Sequence, residues 1–183
     1  MLDVSATMLI TLYARARESR SRNPIIRDPM AEEMMDAIKK DLTGSTNPIH
    51  RKILRNSYNS KLAVTMALRS RRFDKYVTDF LEINPVSTVI NFGCGLDTRF
   101  DRIDNGKMTW FDIDFPEVIE LRRRFMPETD RRRFIAGSIL DPDWTGSVTG
   151  VGHQAGDAAG HGVEAQCDRQ GGSGMMDRSS HSL

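Results

Sequence analysis

The 183-residue sequence predicts an α/β fold: an incomplete parallel sheet of about three strands, preceded by a helical N-terminal region and followed by a disordered tail. Three observations predict it. Apolar periodicity is helical up to residue 83, then gives way to short β-branched and aromatic runs separated by helical stretches. A Gly-x-Gly turn follows the first of those runs. Near Trp144 the composition changes abruptly. Three regions follow: a helical region over 1–83, a partial sheet over 84–145 and a glycine-rich tail over 146–183.

Residues 6–20 read as a helix, and Asn23-Pro24 begins a loop. Asp28-Pro29 caps a second helix running to about Lys40, because proline is tolerated at the first helical position. Residues 43–48 are a turn-rich linker. A third, long helix spans about 59–83 and stops at Asn84-Pro85, since the residue before proline is pushed out of the helical region. Residues 86–92, Val-Ser-Thr-Val-Ile-Asn-Phe, read as a buried strand. Gly93-Cys94-Gly95 turns this strand into a helix starting near Asp97. Residues 108–113 form a second strand, Pro116 opens a helix over 117–125, and 133–137 form a weaker third strand. Strand, helix, strand, helix, strand indicates a parallel sheet with right-handed crossovers.

The tail has a different chemistry. Residues 146–183 hold nine of the fourteen glycines and three of the four histidines, and no Phe, Tyr, Trp, Ile or Lys. Such a segment buries too little apolar surface to offset its ordering entropy. Its start inside an alternating α/β pattern suggests a shifted reading frame or a mis-predicted exon rather than a natural tail.

Lys and Arg total 26 against 25 Asp and Glu, so no global field draws the chain to nucleic acid or an anionic membrane. The arginine clusters at 69–72, 122–124 and 131–133 have acids close by and read as solvated helix faces. Cys94 and Cys167 are far apart in unlike surroundings, which is neither a disulfide framework nor a metal site. With no apolar run near the ~18 residues of a membrane span and no leader pattern, a cytoplasmic location is expected.

In an open parallel sheet, ligands bind beyond the carboxyl ends of the strands. Gly93 and Gly95 sit at such an end, where the lack of a Cβ permits a tight turn and a close ligand approach. The second strand ends in Asp112-Ile113-Asp114, and a carboxylate at Asp114 can accept hydrogen bonds from both ribose hydroxyls of a nucleoside. A dinucleotide fingerprint wants a third glycine three residues after Gly95; that position is Thr98. A phosphate-free nucleoside cofactor such as S-adenosylmethionine therefore suits the turn better than NAD. On a helical wheel of about 100° per residue, Leu62, Met66, Phe73, Tyr76, Val77 and Phe80 form one apolar stripe that includes Arg69. A guanidinium on a core face needs a buried anion: the methionyl carboxylate of the cofactor, or an internal acid, unless it snorkels outward.

The run from Asn91 to Arg99, Asn-Phe-Gly-Cys-Gly-Leu-Asp-Thr-Arg, followed by residues 111–119, Phe-Asp-Ile-Asp-Phe-Pro-Glu-Val-Ile, resembles the leucine carboxyl methyltransferase family and its bacterial O-methyltransferase relatives. The likeness extends from about Thr11 to Trp144, with Ala67-Leu68-Arg69-Ser70-Arg71 similar to the family's arginine helix and residues 14–20 with Arg27-Asp28-Pro29 similar to its N-terminal lid. It implies a Rossmann-like class I methyltransferase sheet behind a helical lid, with S-adenosylmethionine as cofactor. Gly93 and Gly95 would flank the methionyl part, Asp114 would hold the ribose, and Arg69 would pair with the carboxylate. Arg17 would help close the lid, and Ser138 and Ile139 would stand where the family contacts adenine. The family continues with four more strands and a Glu-Gly segment that shapes the acceptor pocket, and nothing after Trp144 resembles them. The expected activity is methyl transfer to a hydroxyl or carboxyl acceptor by a truncated, weakly active or inactive form, with self-association through an unpaired sheet edge. The rivals are a non-catalytic fragment that binds a nucleoside cofactor and, disfavoured by Thr98, an NAD-dependent oxidoreductase.

Overall fold

A computed structural model of the chain describes residues 6–141 and 144–149. The disorder expected over 150–183 lies outside these residues. Three of the helices begin at a polar side chain that caps their first turn. Helix α1 spans Ala6–Ser19 and α2 spans Pro29–Asp41, with the Asp28 side chain accepting from the Ala31 N–H and Lys39 and Lys40 in the last turn. Both features stabilise the helix ends. The 43–48 linker ends earlier than expected, because Asn47 caps a short helix α3, Pro48–Leu54, that the reading of the sequence did not contain. Helix α4, Ser60–Ile83, is capped by Asn59, whose side chain accepts from the Leu62 N–H at 3.0 Å.

Strands β1 (Thr88–Phe92), β2 (Thr109–Asp114) and β3 (Arg132–Ala136) form a parallel sheet in the order β1-β2-β3. Val86, expected inside β1, precedes it and is exposed. Helix α5, Arg99–Ile103, joins β1 to β2, and α6, Pro116–Arg123, joins β2 to β3. The register sets Phe92 beside Ile113 and Asp114 beside Ala136, so all three carboxyl ends finish together. Helix α7, Trp144–Thr149, takes in residues 146–149, which were expected to begin the tail. Trp144 starts it, with its ring edge-on to Phe92 at 4.9 Å and its indole N–H donating to the Ile139 carbonyl.

Alternation along β1 and β2 puts Val89 and Trp110 on one sheet face. Val77, Leu81, Phe100 and Ile103 from α4 and α5 pack there. The larger core joins Leu9, Leu12 and Tyr13 of α1 and Met34, Met35 and Ile38 of α2 to Cys94 and Leu96 of the glycine turn and to Val118, Ile119 and Leu121 of α6. The N-terminal helices and the turn thus share one apolar interior.

Val77 and Phe80 of the expected α4 stripe pack on the sheet, but the first half of the helix presents a different face. The buried residues of α4 are Ala63, Ala67 and Leu81, while Tyr76 is 52% exposed. Helix α4 runs against α1. Small side chains let two helices approach closely, and a wheel weighted by large apolar residues undervalues them. No helix among the described residues is long and apolar enough to cross a membrane.

Candidate cofactor site

The site is built from the carboxyl ends of β1, β2 and β3. The Gly93 N–H donates to the Ile113 carbonyl at 2.9 Å, and the Gly137 N–H donates to the Asp114 carbonyl at 2.9 Å. Two strand exits are thereby stitched to the end of β2. Gly93 and Gly95 have φ of +59° and +49°, in the left-handed region that side-chain-bearing residues rarely adopt. At Gly95 a Cβ would also meet Cγ of Met8 at 3.2 Å, so α1 closes over the turn from outside.

The turn grips the acid at the end of β2. The Gly95 N–H donates to Oδ2 of Asp114 at 2.7 Å, and the Phe115 N–H donates to Oδ1 at 2.8 Å. Asp114 is half-buried. A carboxylate offers about four lone-pair sites, so each oxygen can accept one further hydrogen bond. Two acceptors fixed side by side suit a vicinal diol.

Beneath the turn lies a buried ion pair. Nη2 of Arg122 stands 2.5 Å from Oδ2 of Asp112, both side chains being at most 1% exposed. Nη1 of Arg122 donates to the Gly95 carbonyl and to the Asp97 carbonyl, each at 2.9 Å. Asp112 also accepts from the indole of Trp110 at 2.9 Å and the amide of Asn91 at 2.8 Å. Burial works against the charge on Arg122, but Asp112 foremost outweighs it and holds the guanidinium above its usual basicity. Arg132 is buried beside the same carboxylate, its Nε 3.5 Å from Oδ2. The expectation that the arginine clusters are solvated faces therefore fails for Arg122 and Arg132, while Arg123, Arg124 and Arg133 conform. The reason is the acid at Asp112: a carboxylate in the middle of a buried strand draws the cations to it.

A second network ties the helical region to the turn. Asp28 is 1% exposed. It accepts from Thr98 Oγ1, from Arg15 Nε at 3.2 Å and from Arg102 Nη1 at 2.7 Å. Arg15 also donates to the Leu96 carbonyl at 2.6 Å. Asp74 of α4 binds both Arg99 and Arg102. Burial alone would raise the pKa of Asp97, but Arg99, Arg15, Arg102 and Arg122 pull it well below the carboxylate range.

Of the residues expected at the site, Gly93, Gly95 and Asp114 come together directly. Arg69 does not lie on a core face; it is exposed, its guanidinium 5.7 Å from the Phe73 ring centroid. Arg99 lies 5.5 Å from the same centroid, so Phe73 connects Arg69 to the start of α5. Half-buried Arg17 donates to the Tyr58 carbonyl. Ser138 and Ile139 leave the end of β3, with the Ser138 hydroxyl accepting from the Leu140 N–H at 3.2 Å and Ile139 47% exposed. The reading of the sequence missed Arg122, Asp112, Asp28 and Arg15 as organisers of the turn. Asp112 stands inside a continuous run, residues 110–113, of the kind that is buried on both faces of a parallel sheet, and a carboxylate there demands a cation. Two surface depressions lie elsewhere. One of about 290 Å³ is lined by Leu81, Pro85 and Asn105 near the opposite strand ends, and one of about 250 Å³ is lined by Arg51, Lys52 and Arg55.

The sequence profile described as leucine carboxyl methyltransferase matches residues 8–157. The chain is 36% identical over 149 residues to the tetracenomycin polyketide synthesis O-methyltransferase TcmP of Streptomyces glaucescens, covering 81% of this chain and 51% of that protein. It is 34% identical over 146 residues to the S-adenosyl-L-methionine-dependent methyltransferase dpfgK of Gibberella zeae, covering 75% and 47%. A putative S-adenosyl-L-methionine-dependent methyltransferase of Mycobacterium marinum is 31% identical over 169 residues, covering 82% and 50%. The chain spans about half the length of the curated relatives it matches. With a match running through the glycine turn, Asp114 and the arginine network, the chain belongs to the leucine carboxyl methyltransferase family.

Proposed function

We propose that the strand ends bind S-adenosylmethionine for methyl transfer to an oxygen of a hydroxyl or carboxyl acceptor. The observation that carries this reading is the Asp114 carboxylate, held by the Gly95 and Phe115 amides with a free acceptor direction on each oxygen. When bound, the cofactor would supply an electrophilic methyl on a sulfonium: an acceptor oxygen would bond to that carbon as its bond to sulfur breaks, leaving a neutral thioether and, from a hydroxyl, a proton passed to solvent. The chain's own residues then act by position. Asp114 accepts from the ribose hydroxyls. Gly93 and Gly95 let the methionyl portion pass without a Cβ. Arg69 and Arg17 supply cations for its carboxylate, and Ser138 and Ile139 border the base. Thr98 fills the third-glycine position of a dinucleotide turn, fully buried with its hydroxyl turned to Asp28, which disfavours a pyrophosphate.

The free edge of β1 has no strand partner among the described residues. An unpaired edge invites pairing with another chain, so self-association of the 183-residue chain at that edge and slow methyl transfer by this chain alone belong to the same proposal. Sedimentation and labelled-methyl transfer measure them. The direct test is calorimetric titration of the chain with S-adenosylmethionine and, separately, NAD. Asp114→Ala should weaken S-adenosylmethionine binding by roughly 1–3 kcal/mol, the cost of orphaned polar groups. An unchanged dissociation constant in the folded variant, or preference for NAD, would overturn the reading.

A further inference from the structure

We infer that Arg122 is a positioning residue for the cofactor: it acts on the ligand only through the glycine turn, by fixing the peptide that orients Asp114. The inference rests on the reading of Asp114 as the ribose acceptor.

Gly95 is held from both sides. Its N–H binds Asp114 at 2.7 Å, and its carbonyl receives Nη1 of Arg122 at 2.9 Å. The same nitrogen donates to the Asp97 carbonyl, two residues on, at 2.9 Å. One guanidinium edge thus spans the residues over which the chain reverses after β1. The other nitrogen is anchored to Asp112 in the middle of β2. The geometry couples a fixed point of the sheet to the peptide that aims the carboxylate. Arg122 is fully buried, so it can contact no ligand itself.

Only an arginine satisfies this arrangement. Its planar fork places two nitrogens at fixed separation, one for the carbonyl pair and one for the carboxylate, whereas a lysine ammonium is a single point. The positive left-handed φ of Gly95 gives the turn little intrinsic preference for this conformation over others, since glycine populates both signs of φ. An external hold is what selects it. A buried charge pair is weak evidence for stability but well suited to specifying one conformation.

The test uses Arg122→Lys, which keeps the charge and the pairing with Asp112 but cannot reach both carbonyls. In the unliganded protein, the Gly95 amide should exchange about tenfold faster, the scale of losing one charge-assisted hydrogen bond, while the Trp110 amide, bonded to the Arg131 carbonyl inside the sheet, should be unchanged. Affinity for S-adenosylmethionine should fall by about tenfold. In an Asp114→Asn background the same substitution should change affinity less than about twofold, because coupled sites are not additive. A purely structural role would lower affinity equally in both backgrounds, and that result overturns the inference. Unchanged Gly95 exchange in Arg122→Lys also overturns it, whatever the ligand result. If wild type binds no S-adenosylmethionine while Gly95 exchange responds as expected, the function reading fails and the hold of Arg122 on the turn stands. If Arg122→Lys does not fold, the wild-type protein decides. The Nε–H groups of Arg122 and Arg132 are both buried without a hydrogen-bond partner. The Arg122 resonance should shift on adding S-adenosylmethionine and the Arg132 resonance should not; equal behaviour overturns the inference.

Discussion

Removing the carboxylate of Asp28 should unlatch the helical region from the glycine turn. Asp28→Ala loses the cap of α2, made by Oδ1 with the Ala31 N–H at 3.0 Å, at a cost of about 1 kcal/mol. It also leaves Arg15, 5% exposed, with the Leu96 carbonyl and the nearby charge of Asp97 but without the acid it is bonded to. Breaking a buried pair from one side costs about 3–5 kcal/mol. Arg102 is buffered, because Asp74 binds its Nε at 2.7 Å, so no second charge is orphaned. The expected loss is therefore about 4–6 kcal/mol for Asp28→Ala. It is about 3–5 kcal/mol for Asp28→Asn, whose amide oxygen still caps the helix. Set against the roughly 5–15 kcal/mol of an ordinary domain, Asp28→Ala stands near the edge of folding. Urea unfolding followed by far-UV circular dichroism and by the fluorescence of buried Trp110 measures both. Arg15→Met combined with Asp28→Asn should recover part of the loss, because no charge is then left unpaired. A loss below about 1 kcal/mol for Asp28→Ala, or no gain in the double variant, would refute the claim that Asp28 is a charge hub and leave it a simple cap.

The two turn glycines should differ. Gly93→Ala meets open space and incurs only the left-handed backbone cost of about 1–2 kcal/mol, whereas Gly95→Ala must also displace Met8; equal urea midpoints would remove Met8 from the turn. The pKa of Asp97 is lower folded than unfolded, so its contribution is complete above the unfolded value of about 3.9 and disappears as pH falls through the folded one. The urea midpoint should be flat from about pH 7 to 5 and fall below about pH 4, with a shallower fall in Asp97→Asn; a midpoint that rises on acidification would refute the pairing. Burial pushes the Cys94 thiol well above its usual pKa. In a Cys167→Ser background a disulfide reagent should therefore react with Cys94 only after urea is added, and rapid reaction of the folded protein would show the turn to be open.

Much of this fold is readable in the chain because its signals are local. Thr88-Val89-Ile90 is β-branched, Asp28-Pro29 is a cap followed by a first-turn proline, and Asn84-Pro85 stops a helix by sterics alone. What escaped reading is what tertiary packing decides. Helix α3 is seven residues long, too short for a periodic pattern. The face of the first half of α4 turned about one position because Ala63 and Ala67, rather than Leu62 and Met66, admit α1. Side-chain volume governs how close two helices come, and a hydrophobicity pattern does not record it.

The same distinction explains the site. Asp114 was legible because its position, the last residue of a strand beside a glycine turn, is a property of sequence order. Arg122 was masked, because Arg122, Arg123 and Arg124 are one type in a row and composition does not choose among them. Spacing makes the selection: Val118, Ile119 and Leu121 of α6 face the core, and Arg122 shares that face one turn after Val118 and Ile119, while Arg123 and Arg124 point to water. An inward arginine on an otherwise apolar stripe requires an acid opposite, and β2 supplies Asp112. Arg132 reaches the same acid from β3. Similarly, Arg15 points inward from α1 toward Asp28. Near-zero net charge therefore says little about the interior here, because several of the charges that cancel globally are opposed pairwise around one turn. Such pairs add little to stability once both partners' desolvation is counted. Their directional hydrogen bonds to the carbonyls of Gly95, Leu96 and Asp97 act instead on geometry. A glycine turn has conformational freedom that a binding site must remove, and here buried guanidinium groups from both sides remove it.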